Sequence, residues 1–165
     1  MKKLEFPLQV LAGKICEYLI PIRLSYLKGN GEKVAICTLS DMGLMTDIVS
    51  HQDIMNKVYV VGRLLSENRG IDDIIWTVHN SPNLRYLILC GRDGTGHLPG
   101  QALTSLYKNG ITDEGHIKGA SGANPVLKST MEQISNFMTR IEIFDLIGSR
   151  DISQIKQLTN ELNQR

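Results

Sequence analysis

Residues 86–101 read Tyr-Leu-Ile-Leu-Cys-Gly-Arg-Asp-Gly-Thr-Gly-His-Leu-Pro-Gly-Gln. Leu87, Ile88, Leu89 and Cys90 form an unbroken apolar run, the pattern of a strand buried on both faces in a parallel sheet. Gly91, Gly94 and Gly96 break the run, and His97 stands where a helix is expected to begin. A strand-to-loop junction of this kind lies at the carboxyl edge of an open α/β sheet, where such sheets bind ligands. The chemistry of the chain turns on what that imidazole does.

The same alternation extends on both sides. Apolar runs predict strands over 34–39, 58–62 and 141–146. Helical spacing predicts helices around 48–55, 71–79, 99–108 and 126–137, and a last helix from Asp151 with Ile152, Ile155, Leu158 and Leu162 inward. Asn80-Ser81-Pro82-Asn83 is a turn, and Asn109-Gly110 suits the end of a helix. Strands alternating with helices give an α/β domain, doubly wound, with a mostly parallel sheet and helices on both faces. Residues 7–20 place Leu8, Leu11, Ile15 and Leu19 on one helical face, and Pro21 closes that helix. The chain therefore divides into an N-terminal helical extension, 1–20, and one domain, 21–165. The extension is read as a helix packed on the domain, with a partner-docking helix as the alternative.

Composition narrows the function classes. The 165 residues carry 42% apolar and 21% charged side chains, which suits a packed core and not a disordered chain. The net charge is +1 with Lys and Arg spread along the chain, so nucleic acid is not an expected partner. Cys16, Cys37 and Cys90 are widely spaced and odd in number, and no Cys-x-x-Cys pair exists. A reduced, cytoplasmic protein without a disulfide framework is expected. No apolar stretch reaches the ~20 residues of a membrane span.

A parallel sheet gathers the segments that follow its strands on one rim: Leu39-Ser40-Asp41, 65–70, 91–100, and the glycine-rich loop 119–125. Glycines at 91, 94, 96, 100, 119 and 122 permit close backbone approach to a ligand. The usual nucleotide signatures, G-x-G-x-x-G after the first strand and G-x-x-x-x-G-K-[ST], are absent. This disfavours nicotinamide and nucleoside-triphosphate enzymes, and leaves open a flavin or another large planar cofactor. His97 projects from the loop as a ligand-binding residue or as a loop hydrogen-bonder. Gln101, one helical turn on, is placed to orient the imidazole or to share its ligand. His97 and His116 with Asp93 or Glu114 have a permissible zinc separation, but no His-Glu-x-x-His or Cys/His pattern supports them. No Gly-x-Ser-x-Gly elbow is present for nucleophilic catalysis.

A set of motifs in fixed order then carries a resemblance: Ser66-Glu67-Asn68-x-Gly70-Ile71, Asn80-Ser81-Pro82-Asn83-x-Arg85 running into Tyr86–Gly91, Gly96-His97-x-x-Gly100-Gln101, Asn109-Gly110, Gly119-Ala120-x-Gly122-Ala123-x-Pro125 and Asp145-Leu146-Ile147. Together they resemble the A subunit of tetrahydromethanopterin S-methyltransferase, over about residues 20–155. The resemblance implies a Rossmann-like, three-layer domain that holds a cobamide (a cobalamin or related corrinoid) at the carboxyl ends of its strands. It implies His97 as the lower axial ligand of cobalt. Glu67, Asn68, Gly91, Gly96, Gln101, Gly119, Ala120, Gly122, Ala123 and Pro125 are implied as further cofactor contacts. The implied activity is methyl carriage between methyltransferase partners, one of them acting on a tetrahydrofolate- or tetrahydromethanopterin-type pterin. Other corrinoid proteins use Asp-x-His-x-x-Gly; here Asp93 lies four residues before the histidine and is the candidate to hold its ring. The family's membrane proteins carry a C-terminal transmembrane helix, and this chain ends at Arg165 without one, so a soluble relative is expected. The rival readings are an interaction subunit that kept the fold and lost the cofactor, and a flavin- or nucleotide-binding enzyme.

Overall fold

Strand β2, Val34–Cys37, and strand β4, Tyr86–Gly91, form the centre of the sheet, and their side chains alternate between two separate cores. Ala35, Cys37, Leu87 and Leu89 face one core; Val34, Ile36, Ile88 and Cys90 face the other. That period of two with both faces apolar is why these runs read as continuous hydrophobic strands. A computed structural model describes residues 26–165 of the chain, and the expected helix over residues 7–20 lies outside them.

The sheet has five strands in the order β1-β3-β2-β4-β5, with β1 Tyr26–Lys28, β3 Val60–Gly62 and β5 Glu142–Ile147. β3, β2, β4 and β5 are mutually parallel, whereas β1 runs antiparallel along β3 at the edge. On one face lie helices α1 Met42–Ser50, α2 Gln52–Met55 and α6 Ile152–Gln164; on the other lie α3 Arg69–His79, α4 Pro99–Asn109 and α5 Met131–Arg140. The expected three-layer α/β architecture is therefore present. From β2 the chain builds first toward β3, then crosses back to β4 and β5. The direction of winding thus reverses between β2 and β4, and in open α/β sheets the carboxyl ends at such a reversal are where ligands bind.

Three elements differ from the sequence reading, each for a local reason. The helix expected around 48–55 is two helices, because Asp41 caps an earlier start at Leu44 N and His51 adopts extended backbone between them. The helix expected at 126–137 starts at Met131. Thr130 and Gln133 form a reciprocal capping box there, and the preceding Lys128 and Ser129 amides are held by the Asp72 carboxylate. Strand β1 was not visible in the sequence, since its three residues are all exposed and show no alternation.

Candidate functional site

The rim at the carboxyl ends of β2, β3 and β4 carries His97. Its position is set from both sides: Gly96 turns at φ +83°, and Leu98 adopts the left-handed conformation at φ +43° before Pro99 opens α4. Leu39, at the end of β2, is the other non-glycine residue with positive φ among those described. Such backbone costs on the order of 1–3 kcal/mol per residue and persists only where surrounding contacts enforce it. Here both residues lie on loops of the same rim.

The imidazole is oriented by a buried carboxylate. Glu67 follows β3, immediately before Asn68, the N-cap of α3, and its side chain is only 1% exposed. Its Oε2 lies 2.9 Å from His97 Nδ1, while Oε1 accepts 2.7 Å from the backbone N–H of Asn124. A carboxylate accepts only, so Nδ1 carries the proton in this pair, and in the neutral ring Nε2 keeps its lone pair. The His97 side chain is 60% exposed, so the ring is open to solvent at the rim although its carboxylate partner is buried. A carboxylate behind a histidine, fixing its tautomer, is the arrangement found behind metal-ligating imidazoles.

The glycine-rich loop closes around the pair. A Cβ on Gly122 would come within 2.4 Å of His97 O and 2.8 Å of Glu67 Cγ, so only glycine lets this loop reach them. Gln101 clamps the other end: its Nε2 donates to Gly119 O at 2.8 Å and Ser105 Oγ at 3.0 Å, and its Oε1 accepts from Ser121 N at 2.9 Å. Gln101 thus positions the loop and not the imidazole, contrary to one of the two roles expected of it. Asp93 is corrected as well. Its carboxylate accepts from Gly94, Gly100 and Gln101 amides, capping the start of α4, and it does not hold His97.

The remaining site residues separate into two groups. Gly96 and Ala123 are exposed beside the Glu67–His97 pair, with nothing within 4 Å of a Cβ on Gly96. Asn68 caps Arg69 N, Ala120 packs on the core, and Pro125 is buried with its carbonyl accepting from Ile117 N. Gly91 is buried deeper, where a Cβ would meet Thr38 O and Asp41 Cβ at 2.9 Å; it joins the β2 and β4 loops. Asn124, which sequence reasoning missed, contributes a backbone amide that no side-chain pattern signals. Among the described residues no three His, Cys, Asp or Glu side chains form a metal-holding group, and His116 sits in a β-bridge with Val126. Cys37 and Cys90 are buried free thiols below the rim, and burial pushes the Cys37 thiol up to about 12.

This constellation can be compared with known proteins. The family model for the A subunit of tetrahydromethanopterin S-methyltransferase matches residues 21–165. The chain belongs to that family. Within it, the chain is 36% identical over 139 residues to the tetrahydromethanopterin S-methyltransferase A subunit of Methanocaldococcus jannaschii, covering 82% of this chain and 56% of that protein. It is 29% identical over 153 residues to the A subunit of the putative methyltransferase Mtx of Methanosarcina acetivorans, covering 92% of this chain and 73% of that one. With the tetrahydromethanopterin S-methyltransferase A subunit numbered 2 of Methanothermobacter marburgensis it shares 31% identity over 139 residues, 82% of this chain and 72% of the relative. The span matched by the family model contains every element of the rim just described. No helix among the described residues is long and apolar enough to cross a membrane.

Proposed function

We propose that this chain is the corrinoid-carrying component of a methyl-transfer system, in which His97, through Nε2, would hold the cobalt of a cobamide. The observation that carries the reading is the Glu67–His97 pair: a buried carboxylate engages Nδ1 of a largely exposed ring, so the other imidazole nitrogen is the one left to bind a ligand. A single protein ligand would suit a metal that brings its own macrocycle, whereas zinc needs three or four from the protein. Membership of the family supports the same reading. When bound, a cobamide would supply a cobalt able to carry a methyl group between methyltransferase partners, one of them acting on a methylated pterin.

The chain's own residues then have distinct tasks. Glu67 keeps the proton on Nδ1 and adds electron density to the ring, which strengthens Nε2 as a donor. Gly96 leaves the surface beside the ring free of side-chain bulk, and the loop 119–125, held by Gln101, forms a wall next to it. The active site that acts on the methyl donor or acceptor belongs to a separate methyltransferase protein.

The test is reconstitution with hydroxocobalamin, followed by gel filtration and visible spectroscopy. A coloured complex is expected, with a spectrum that shifts in His97→Ala while the folded fraction stays the same. Protein at micromolar concentration that retains no corrinoid would overturn the proposal. Retention with a spectrum indifferent to His97→Ala would overturn the ligand assignment.

A further inference from the structure

The segment 121–124 is held unlike its flanks. On either side the backbone is tied down: Lys118 N donates to Gly110 O at 3.0 Å, Ile117 N to Pro125 O at 2.9 Å and Leu127 N to Gly115 O at 3.0 Å, and the Lys128 and Ser129 amides reach the Asp72 carboxylate. From Ser121 to Asn124 no amide donates to backbone. Ser121 N donates to Gln101 Oε1 and Asn124 N to Glu67 Oε1, and the Gly122 and Ala123 amides have no acceptor among the described residues. Ser121, Ala123 and Asn124 are exposed, and Gly119, at φ +79°, turns the chain into the segment. Few bonds, a solvent-facing backbone and fixed ends are the marks of a piece that opens locally while the fold stays intact.

What the segment covers gives its opening a consequence. A Cβ on Gly122 would stand 2.8 Å from Glu67 Cγ and 3.0 Å from Glu67 Cδ, so the Gly122 backbone lies directly against the carboxyl group. The Asn124 N–H occupies one carboxylate oxygen and His97 Nδ1 the other, and the Glu67 side chain is left 1% exposed. A hydrogen bond shielded from water is electrostatically stronger than a wet one. With the segment lifted, water reaches the carboxylate and competes for both oxygens, and the neutral ring is free to carry its proton on either nitrogen. We infer that residues 121–124 form a strap that opens and closes over Glu67, and that its closure, and not Glu67 alone, fixes the proton on His97 Nδ1. The strap therefore sets, through Glu67, which ring nitrogen is left for a ligand. That role rests on the proposed function for the ligand it serves, but strap and ring are both read in the chain alone.

The test uses the whole chain, isotope-labelled and without corrinoid. Nuclear magnetic resonance reads amide exchange along the loop and, through long-range nitrogen–proton couplings, the tautomer of the His97 ring. In the parent chain Ser121 and Asn124 should exchange together, several-fold faster than Ile117 and Leu127, with Nδ1 protonated in the neutral ring. Asn124→Pro removes the one N–H that joins the strap to Glu67 and leaves both side chains of the Glu67–His97 pair in place. It should shift the neutral ring toward the other tautomer, while Ile117 and Leu127 keep parental exchange. If that variant fails to fold, Gly122→Ala, which pushes the strap away from His97 O and Glu67, is read in the same way. Exchange of Asn124 in the parent as slow as that of Ile117 and Leu127 overturns the strap. A ring that stays wholly Nδ1-protonated in a folded variant overturns its control of the tautomer. Failed reconstitution with hydroxocobalamin would refute the proposed function instead, and leaves these measurements to decide the strap.

Discussion

Replacing Glu67 by Gln changes only which atoms donate and accept, and the structure dictates the consequence. In the parent chain both carboxylate oxygens accept, one from His97 Nδ1 at 2.9 Å and one from Asn124 N at 2.7 Å. An amide has one acceptor and one donor end, so it cannot serve both. If the amide oxygen stays with Asn124, the NH2 faces Nδ1, which must give up its proton; the proton moves to Nε2 and blocks that nitrogen. If the oxygen turns to Nδ1, the NH2 confronts the Asn124 N–H. A buried donor left without an acceptor costs about 1–3 kcal/mol, which for a domain of this size lowers Tm by roughly 2–4 °C per kcal/mol. The first orientation blocks Nε2 and the second puts a neutral amide where a carboxylate stood, so on the proposed function cofactor affinity should weaken by about 10–100-fold. Three assays read this: urea unfolding of the apoprotein, long-range nitrogen–proton NMR of the His97 ring, and spectral titration with hydroxocobalamin. A variant with parental stability, Nε2 still unprotonated and parental affinity would refute the assignment of Glu67 as the group that sets the tautomer.

Other outcomes follow from single contacts. Gln101→Ala removes the bonds to Gly119 O, Ser105 Oγ and Ser121 N, so amide exchange in 119–122 should accelerate, with a stability loss of about 1–3 kcal/mol by urea unfolding. Gly122→Ala places a Cβ 2.4 Å from His97 O and should cost about 1–3 kcal/mol by overpacking. Gly96→Ala, with open space around it, should cost only the roughly 1 kcal/mol of a side chain at positive φ; equal losses in the two variants would contradict the close approach at Gly122. Burial raises the Cys37 thiol from 9.0 to about 12, and raises Cys90 further. The unfolded chain therefore releases these protons first, so stability is full below about pH 9 and declines toward pH 12, by about 1.4 kcal/mol per pH unit for each thiol. Urea midpoints at pH 8 and pH 10 should show a decline that is smaller in Cys37→Ala.

The reading of the chain succeeded where burial follows local periodicity. Val34–Cys37 and Leu87–Cys90 are apolar at every position because both sides of the central strands are covered, so strand type and parallel pairing were legible from the runs themselves. The end of α4 at Asn109-Gly110 and the cap at Asp151 were equally local, and Gly110 adopts φ +70° as a glycine there can. The late start of α5 was also written locally, in Thr130 and Gln133, but periodicity through Val126 and Leu127 outweighed it; those residues are held by the bridge at Val126 and by Gly115 O.

The sequence by itself determined the layered class, the gathering of the loops after the parallel strands on one rim, and His97 as a residue of that rim, because each rests on patterns a few residues long. Only the tertiary structure decided which acid stands behind the imidazole. Asp93, four residues away, is turned inward to cap α4, whereas Glu67, thirty residues away on another loop, makes the contact. It also decided that Gln101 holds a distant loop and that β1 closes the edge against the direction of the other strands. The physical reason is that apolar burial is repeated and averages over many positions, while a polar contact depends on one atom of one side chain meeting another. Which carboxylate reaches which ring is fixed only when the order of the strands brings their loops to the same rim.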